Sequence, residues 1–183
     1  LSAHKKNEAA RCFAAGLALQ QAGRLVEARQ SYERGLKYDP GNPDALFLLG
    51  QVLFDSGETT TGERRMRAAL EARPQAGNYR AGLALSLFNA GRFAEAAKEF
   101  AQAVRLIPND PALWRGLAMS AAQTGALDVA LDAATHWLRL APDDADAQRL
   151  HGKICAQLHF DLGMELAGQE QNEAAIVEYQ AAL

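Results

Sequence analysis

The chain has 183 residues, of which 49% are hydrophobic, enough for a packed core and too many for a disordered chain. Its 19 Lys and Arg against 22 Asp and Glu give a formal net charge of −3, so we expect no binding to nucleic acid or to an anionic membrane surface. Alanine is abundant and β-branched residues are few, which favours helices over strands. No apolar run reaches the roughly 18 residues of a membrane span, so membrane insertion is not expected.

The cysteines and the two ends of the sequence bear on the compartment. Cys12 and Cys155 form no CxxC motif and no disulfide framework, which is typical of a reducing compartment. The sequence begins at Leu1 with no recognisable signal peptide, so we expect a cytoplasmic protein, with the periplasm as the alternative. An amphipathic pattern still continues at Leu183, and we expect the sequence to be a piece of a longer chain.

Residues of the same type recur every 34 positions, as in 57 − 23 = 34 and 74 − 40 = 34. Four independent series follow this step, which leaves little room for coincidence. They comprise turn glycines, prolines, large apolar residues and small residues: Gly23, Gly57, Gly91, Gly125; Pro40, Pro74, Pro108, Pro142; Leu36, Leu70, Val104, Leu138; Ala28, Gly62, Ala96, Ala130.

A helix–turn–helix period of 34 residues is that of the tetratricopeptide repeat, and the chain resembles this family over nearly its whole length. The first repeat matches the family pattern at Cys12, Ala15, Gly16, Leu19, Gly23, Ala28, Tyr32, Gly35 and Pro40. The resemblance implies an all-α fold, a right-handed superhelical solenoid, with residues 1–183 as a single domain. The implied repeats are 9–42, 43–76, 77–110, 111–144 and an elongated fifth, 145–183.

The turn glycines and the prolines delimit two helices, A and B, in each repeat. Asn42 and Asp110 are predicted N-caps, each followed by proline at the first helical position. The predicted helices are about 3–22, 25–38, 43–56, 59–72, 77–90, 93–106, 111–124 and 127–140.

The fifth repeat departs from this pattern. No proline or turn cluster lies between Asp144 and Gly168, and the small-residue position of the motif occurs twice, at Gly152 and at Gly163. The offset, 163 − 152 = 11, is close to the about 10.8 residues of three helical turns, so the apolar face is preserved. We predict one long helix from about 144 to 168 and a second from about 171.

The resemblance also implies a concave groove lined by the A helices, which would bind a peptide or protein partner. Carried over position by position, its residues of interest are Phe13, Leu17, Phe47, Gln51, Phe54, Asn78, Leu85, Phe88, Asn89, Arg115, Met119, Arg149 and Lys153. The four phenylalanines would form an apolar stripe, and the basic residues would form its C-terminal end. The alternative is that the tight curvature of the solenoid, or the terminal segment 1–8, covers these rings. The expected ligand is an extended or amphipathic peptide, acidic at one end.

We therefore predict a non-catalytic interaction scaffold with no cofactor. The alanine-rich composition resembles that of bacterial members of the family. The alternative is a substrate-recruiting module at the N-terminus of a larger enzyme, such as a glycosyltransferase, sulfotransferase or methyltransferase. A third alternative is self-association through the C-terminal repeat. The terminal helix from 171 would present Ile176 and Leu183 without a following helix to cover them.

A row of potential metal ligands lies on the long helix. His151, Cys155 and His159 are spaced at i, i+4 and i+8. Two such residues can share a metal ion. Three in a row turn gradually around the helix, so they cannot complete a tetrahedron without a ligand from elsewhere. We expect these side chains to pack in the core and predict no metal site.

Overall fold

The computed structural model describes residues 3–183, which form ten α-helices and no strand, so the all-α prediction is confirmed. The helices are α1 (Ala3–Gln21), α2 (Leu25–Tyr38), α3 (Pro43–Asp55), α4 (Thr59–Ala72), α5 (Gly77–Asn89), α6 (Phe93–Leu106), α7 (Pro111–Gln123), α8 (Leu127–Leu140), α9 (Ala145–Gly168) and α10 (Asn172–Ala181). Within this described range, no helix combines the length and the apolar character needed to cross a membrane.

The predicted helix bounds agree closely with these. Helices α2, α4, α6 and α8 begin and end at the predicted residues, and α1, α3, α5 and α7 each end one residue earlier. The long helix is confirmed as the single 24-residue α9. Helix α10 begins at Asn172, one residue after the expected start.

The ends of the helices follow from the predicted capping residues. The Asn42 side chain accepts a hydrogen bond from the Ala45 amide at 3.0 Å, and Asp110 accepts one from the Ala112 amide at 2.9 Å. The four turn glycines have φ between 73° and 89°, a region where a side chain is disfavoured. Each A helix therefore ends where glycine allows the chain to reverse.

The chain divides into two compact units, and the division falls inside the third repeat. The first unit extends to Ala90 and includes α1–α5, while the second, Gly91–Leu183, includes α6–α10. The third repeat therefore contributes one helix to each unit. A single continuous solenoid over 1–183 stays a prediction.

In the first unit, consecutive helices pack from α1 to α4, and α5 packs against both α3 and α4. The centre of the core is a cluster of fully buried residues on the two helices α2 and α3: Ala28, Tyr32, Leu49, Val52 and Leu53. Helix α3 also contacts α1, so the A helices α1, α3 and α5 lie side by side. This arrangement provides the surface on which the predicted groove residues of the first unit lie.

In the second unit each helix from α6 to α10 packs against the next. Trp137 stands where the family usually has a small residue, and its ring is buried. Its indole N–H donates to Asp144 Oδ2 at 3.1 Å, while Asp144 Oδ1 accepts from the Asp146 and Ala147 amides. One carboxylate thus caps α9 and joins it to α8.

Candidate peptide-binding surface

Two exposed leucines dominate the A-helix surface of the first unit. Leu17 on α1 is 41% exposed and Leu85 on α5 is 54% exposed, while Gln51 on the intervening α3 is half-buried. These three residues occupy the same position of successive repeats, since 51 − 17 = 85 − 51 = 34. The surface therefore has an apolar side chain on either side of a central amide.

Phe47, one of the predicted anchors, is only 7% exposed. Its ring stacks on Tyr79 with centroids 4.5 Å apart. A Cβ at Gly82 would lie 2.4 Å from Phe47 Cζ, so any other residue at position 82 would displace the ring. Phe47 joins α3 to α5 and does not present its ring to solvent.

Polar contacts hold Tyr79 in place. Its hydroxyl donates to Asp44 Oδ1 at 2.5 Å, and Arg73 Nη1 donates to the same oxygen at 2.9 Å. Burial, reinforced by the hydrogen bond to Asp44, raises the pKa of Tyr79 to about 12, so the phenol is neutral at physiological pH. The hydroxyl of Tyr79 is thus held by hydrogen bonds, while the face of its ring stacks on Phe47.

The remaining phenylalanines are also partly or fully covered. Phe54 is 7% exposed, and its backbone N lies 2.7 Å from the position of a Cβ at Gly62. Phe13 and Phe88 are half-buried. The expectation of a stripe of four exposed rings does not describe Phe47, whose ring packs between Gly82 and Tyr79, or Phe54, which is also buried.

Polar side chains complete the surface of the first unit. Asn78 and Asn89, near the two ends of α5, are both exposed. Burial raises the pKa of Asp55 above its usual value, which reduces the tendency of this carboxyl to ionise beside the groove residue Phe54. The amides can donate and accept hydrogen bonds to a peptide backbone.

The predicted residues of the second unit lie on two helices. Arg115 and Met119 are on α7, and Arg149 and Lys153 are on α9. All four are exposed, and Arg149 pairs with Asp146. The basic character predicted for this region is therefore available to solvent.

The histidine and cysteine row on α9 is half-buried. Cys155 Sγ lies 3.7 Å from His151 Nδ1, and His159 Nδ1 lies 2.7 Å from Glu178 Oε2 on α10. Within residues 3–183 no three His, Cys, Asp or Glu side chains are grouped so as to hold a metal ion. These side chains instead make pairwise contacts within α9 and between α9 and α10.

Two family models, both described as tetratricopeptide repeat, match residues 19–85 and 82–145. Together they cover most of the chain, including the surface residues from Phe47 to Met119 but not Phe13, Leu17, Arg149 or Lys153. The chain belongs to the tetratricopeptide repeat family. Repeats of this family are scaffolds for protein–protein interaction, and its members are typically non-catalytic.

Solved tetratricopeptide repeat structures have the same fold. YrrB, a tetratricopeptide repeat protein with an unusual peptide-binding site, is 22% identical with a TM-score of 0.65, covering 93% of this chain and 82% of YrrB. PilF of Pseudomonas aeruginosa is 18% identical with a TM-score of 0.70, covering 98% of this chain and 77% of PilF. MamA of Desulfovibrio magneticus RS-1 is 15% identical with a TM-score of 0.68, covering 96% of this chain and 93% of MamA.

A curated relative matches by sequence over a shorter share of its length. The CTR9 homologue of Arabidopsis thaliana is 26% identical over 151 residues, which is 82% of this chain. Those residues are 14% of the relative, so the chain spans about one seventh of that protein.

One tetratricopeptide repeat feature escaped the sequence analysis. Glu170 has φ of 62°, although it is not a glycine, and it ends α9 in the way that Gly23 ends α1. The signal was available in the spacing, because 170 − 163 equals 23 − 16. The turn between α9 and α10 thus has the positive φ of the other repeat turns, with a glutamate where glycine is favoured.

Proposed function

We propose that this chain is a non-catalytic scaffold whose first unit binds a peptide along the A-helix surface of α1, α3 and α5. The observation behind the proposal is the pair of exposed leucines, Leu17 and Leu85, on either side of Gln51. An exposed leucine on its own needs no explanation, but apolar residues repeated at one position of a binding fold favour a docking surface.

The chemistry of the surface selects a class of peptide. The leucines favour two apolar anchors, and Gln51, Asn78 and Asn89 offer amides for the backbone between them. Phe13 and Phe88 would extend the apolar contact from their half-buried positions. The expected ligand is an uncharged, extended segment with spaced apolar side chains.

The basic residues of the second unit support a separate part of the proposal. Arg115, Arg149 and Lys153 are exposed. Met119, which is on α7 like Arg115, is 39% exposed. Such residues suit a peptide with acidic side chains. Binding there would weaken with added salt, which binding to the leucines would not.

A display experiment tests the proposal for the first unit. The protein is immobilised and panned against a random peptide library, and the selected peptides are synthesised and titrated by fluorescence anisotropy. We expect Leu17→Ser and Leu85→Ser each to raise the dissociation constant about tenfold, which corresponds to about 1.4 kcal/mol of lost apolar contact.

Val26→Ser is the matched control, because Val26 is an exposed apolar residue of the same unit on the B helix α2. It should leave the dissociation constant unchanged, and all three variants should keep the melting temperature of the wild type within a few degrees. Peptides that bind all three variants as tightly as the wild type would refute the proposed surface.

A further inference from the structure

Helix α9 is long enough to contain the small-residue position of an A helix twice. It has 24 residues, whereas α3, α5 and α7 have 13 each. The A-helix glycine occurs in it twice, at Gly152 and at Gly163. Because 11 residues are nearly three full turns, both glycines lie on the same side of the helix.

The second of these glycines is covered by a B helix. A Cβ at Gly163 would lie 2.7 Å from Tyr179 Cε1 and 2.8 Å from Cδ1, on α10. The corresponding distances from Gly16 to Tyr32 in the first repeat are also 2.7 Å and 2.8 Å. A glycine at this position therefore admits an aromatic ring of the following helix.

The first of these glycines has no such partner. Gly152 is exposed, and within residues 3–183 no heavy atom lies within 4 Å of a Cβ placed there. Ala147 and Ile154 are buried, and α9 packs against α8, so the opposite side of this segment is the uncovered one. A glycine inside a helix is less favourable than an alanine, and no contact in the described structure offsets that cost.

An apolar groove continues from α10 along this side of α9. Its wall on α9 is formed by Ala156, Gln157 and Phe160, and its other wall by Tyr179 on α10 and by Ala182 and Leu183, which follow that helix. The groove has a volume of about 560 Å³ and is open to solvent, with Lys153 at its edge. The packed interface between α9 and α10 thus extends as an open surface toward Gly152.

We infer that this surface, from Gly152 to Phe160, binds one amphipathic helix of a partner protein, lying along α9 as α10 does. Three B helices of this chain define the required pattern, which is a small residue, an aromatic residue four positions later and a small residue three positions after that. Examples are Ala28, Tyr32, Gly35; Ala96, Phe100, Ala103; and Ala175, Tyr179, Ala182.

A second copy of this chain does not offer such a helix without unfolding. Tyr32 packs on Gly16, Phe100 packs on Gly116 and Tyr179 packs on Gly163, so each of these aromatic residues is already engaged. Lys153 is exposed and forms no ion pair within the described part of the chain, so an acidic residue beside the aromatic one would complement it. The occupant is therefore a helix from another protein.

The probe is a stapled, fluorescent peptide with the sequence of residues 171–183, because that helix fits the same face three turns further along α9. We expect it to bind the wild-type chain, and to bind Gly152→Leu at least tenfold more weakly, since leucine would occupy the position of the aromatic ring. A peptide with Tyr179→Ser should also bind at least tenfold more weakly.

Gly168→Leu is the matched control, because Gly168 is on the same helix and a Cβ there also meets no heavy atom within 4 Å in the described chain. It should bind the peptide like the wild type, and neither variant should melt below the wild type. No binding, or equal binding to Gly152→Leu, would overturn the inference. A dimer of the wild type that Gly152→Leu dissociates would show that the occupant is a second copy and overturn our choice. Leu17→Ser and Leu85→Ser should leave the binding of this peptide unchanged, so a failure of the proposed function would not affect the result.

Discussion

The first and last helix pairs of this protein have the same internal contact and different surroundings. In α1–α2 and in α9–α10, a tyrosine ring lies against a glycine, with ring carbons 2.7 Å and 2.8 Å from the position that a Cβ of the glycine would occupy. Tyr32 in the first pair is fully buried, whereas Tyr179 in the last pair is half-buried. The contact between the tyrosine and the glycine depends only on the two helices of the pair. The burial of the tyrosine depends on the other helices that pack against the pair.

The surroundings explain the difference. Helix α3 packs against α2, while α10 packs against α9. Ile176 and Leu183 in the last repeat correspond to Arg29 and Leu36 in the first, since 176 − 163 equals 29 − 16. Leu36 is half-buried, and Ile176 and Leu183 are exposed. In a repeat protein each repeat is stabilised by its neighbours, so the same motif is expected to be weaker where one neighbour is lacking in the described structure.

The largest expected effect comes from removing the two tyrosine rings. Tyr32→Ala should lower the free energy of unfolding by about 3–5 kcal/mol, because it leaves a cavity in a fully covered core. Tyr179→Ala should cost less than half as much, since solvent already reaches that ring. Urea denaturation of both variants measures the two costs, and equal costs would show that α10 is as well covered as α2.

The repeat positions were predictable because each depends on local chemistry. Pro43 after Asn42, and glycine at 23, 57, 91 and 125, set the helix ends without reference to the rest of the fold. The covering of Phe47 was not predictable in the same way. It depends on Gly82 and Tyr79, which are 35 and 32 residues away in the sequence, and on how closely α3 and α5 approach.

The turns give the second comparison. Gly23 and Glu170 both have positive φ, at 73° and 62°, but only glutamate has a Cβ that clashes in this conformation. Glu170→Gly should raise the free energy of unfolding of the α9–α10 pair by about 1 kcal/mol, and Gly23→Glu should lower stability by about 1–2 kcal/mol. Hydrogen exchange of the α10 amides measures the first effect locally.

Glu170→Ala is the control for the turn. It removes the charge and keeps the Cβ, so we expect it to give none of the gain of glycine. If alanine stabilised α10 as much as glycine, repulsion of the Glu170 carboxylate would be the cause and the backbone argument would be wrong.

The third prediction concerns alkaline pH. Burial raises the pKa of Tyr32 from 10.0 to about 12, so the folded state holds the phenol proton more tightly than the unfolded state does. The resulting stability is complete below pH 10 and is lost as the pH rises through about 12. Tyr32→Phe has no such proton, and its free energy of unfolding should fall less steeply above pH 10 than that of the wild type.

The same variant has a cost at neutral pH. The Tyr32 hydroxyl donates to Gln20 Oε1 at 2.9 Å, and its removal should lower stability by about 1 kcal/mol. Chemical denaturation at pH 8, 10 and 11 separates the constant loss from the pH-dependent part. Parallel curves for the two proteins would contradict the assignment of the titration to Tyr32.

The smallest expected effect is that of Ile176→Arg, which gives the last repeat the residue that the first has at this position. Arg29 forms ion pairs with Glu33 and Glu58 on the outer side of α2, whereas Ile176 is 55% exposed. An exposed side chain with few contacts can be replaced at a cost of less than about 0.5 kcal/mol, so dilute samples of variant and wild type should unfold together. At high concentration they should differ, because we expect the wild type to self-associate through Ile176 and Val177, and a buried unpaired arginine would prevent that contact. Sedimentation velocity would then show a coefficient that rises with concentration only for the wild type. A wild type that stays strictly monomeric, with strong protection of the α10 amides, would mean that the α9–α10 pair is self-sufficient despite its exposed face.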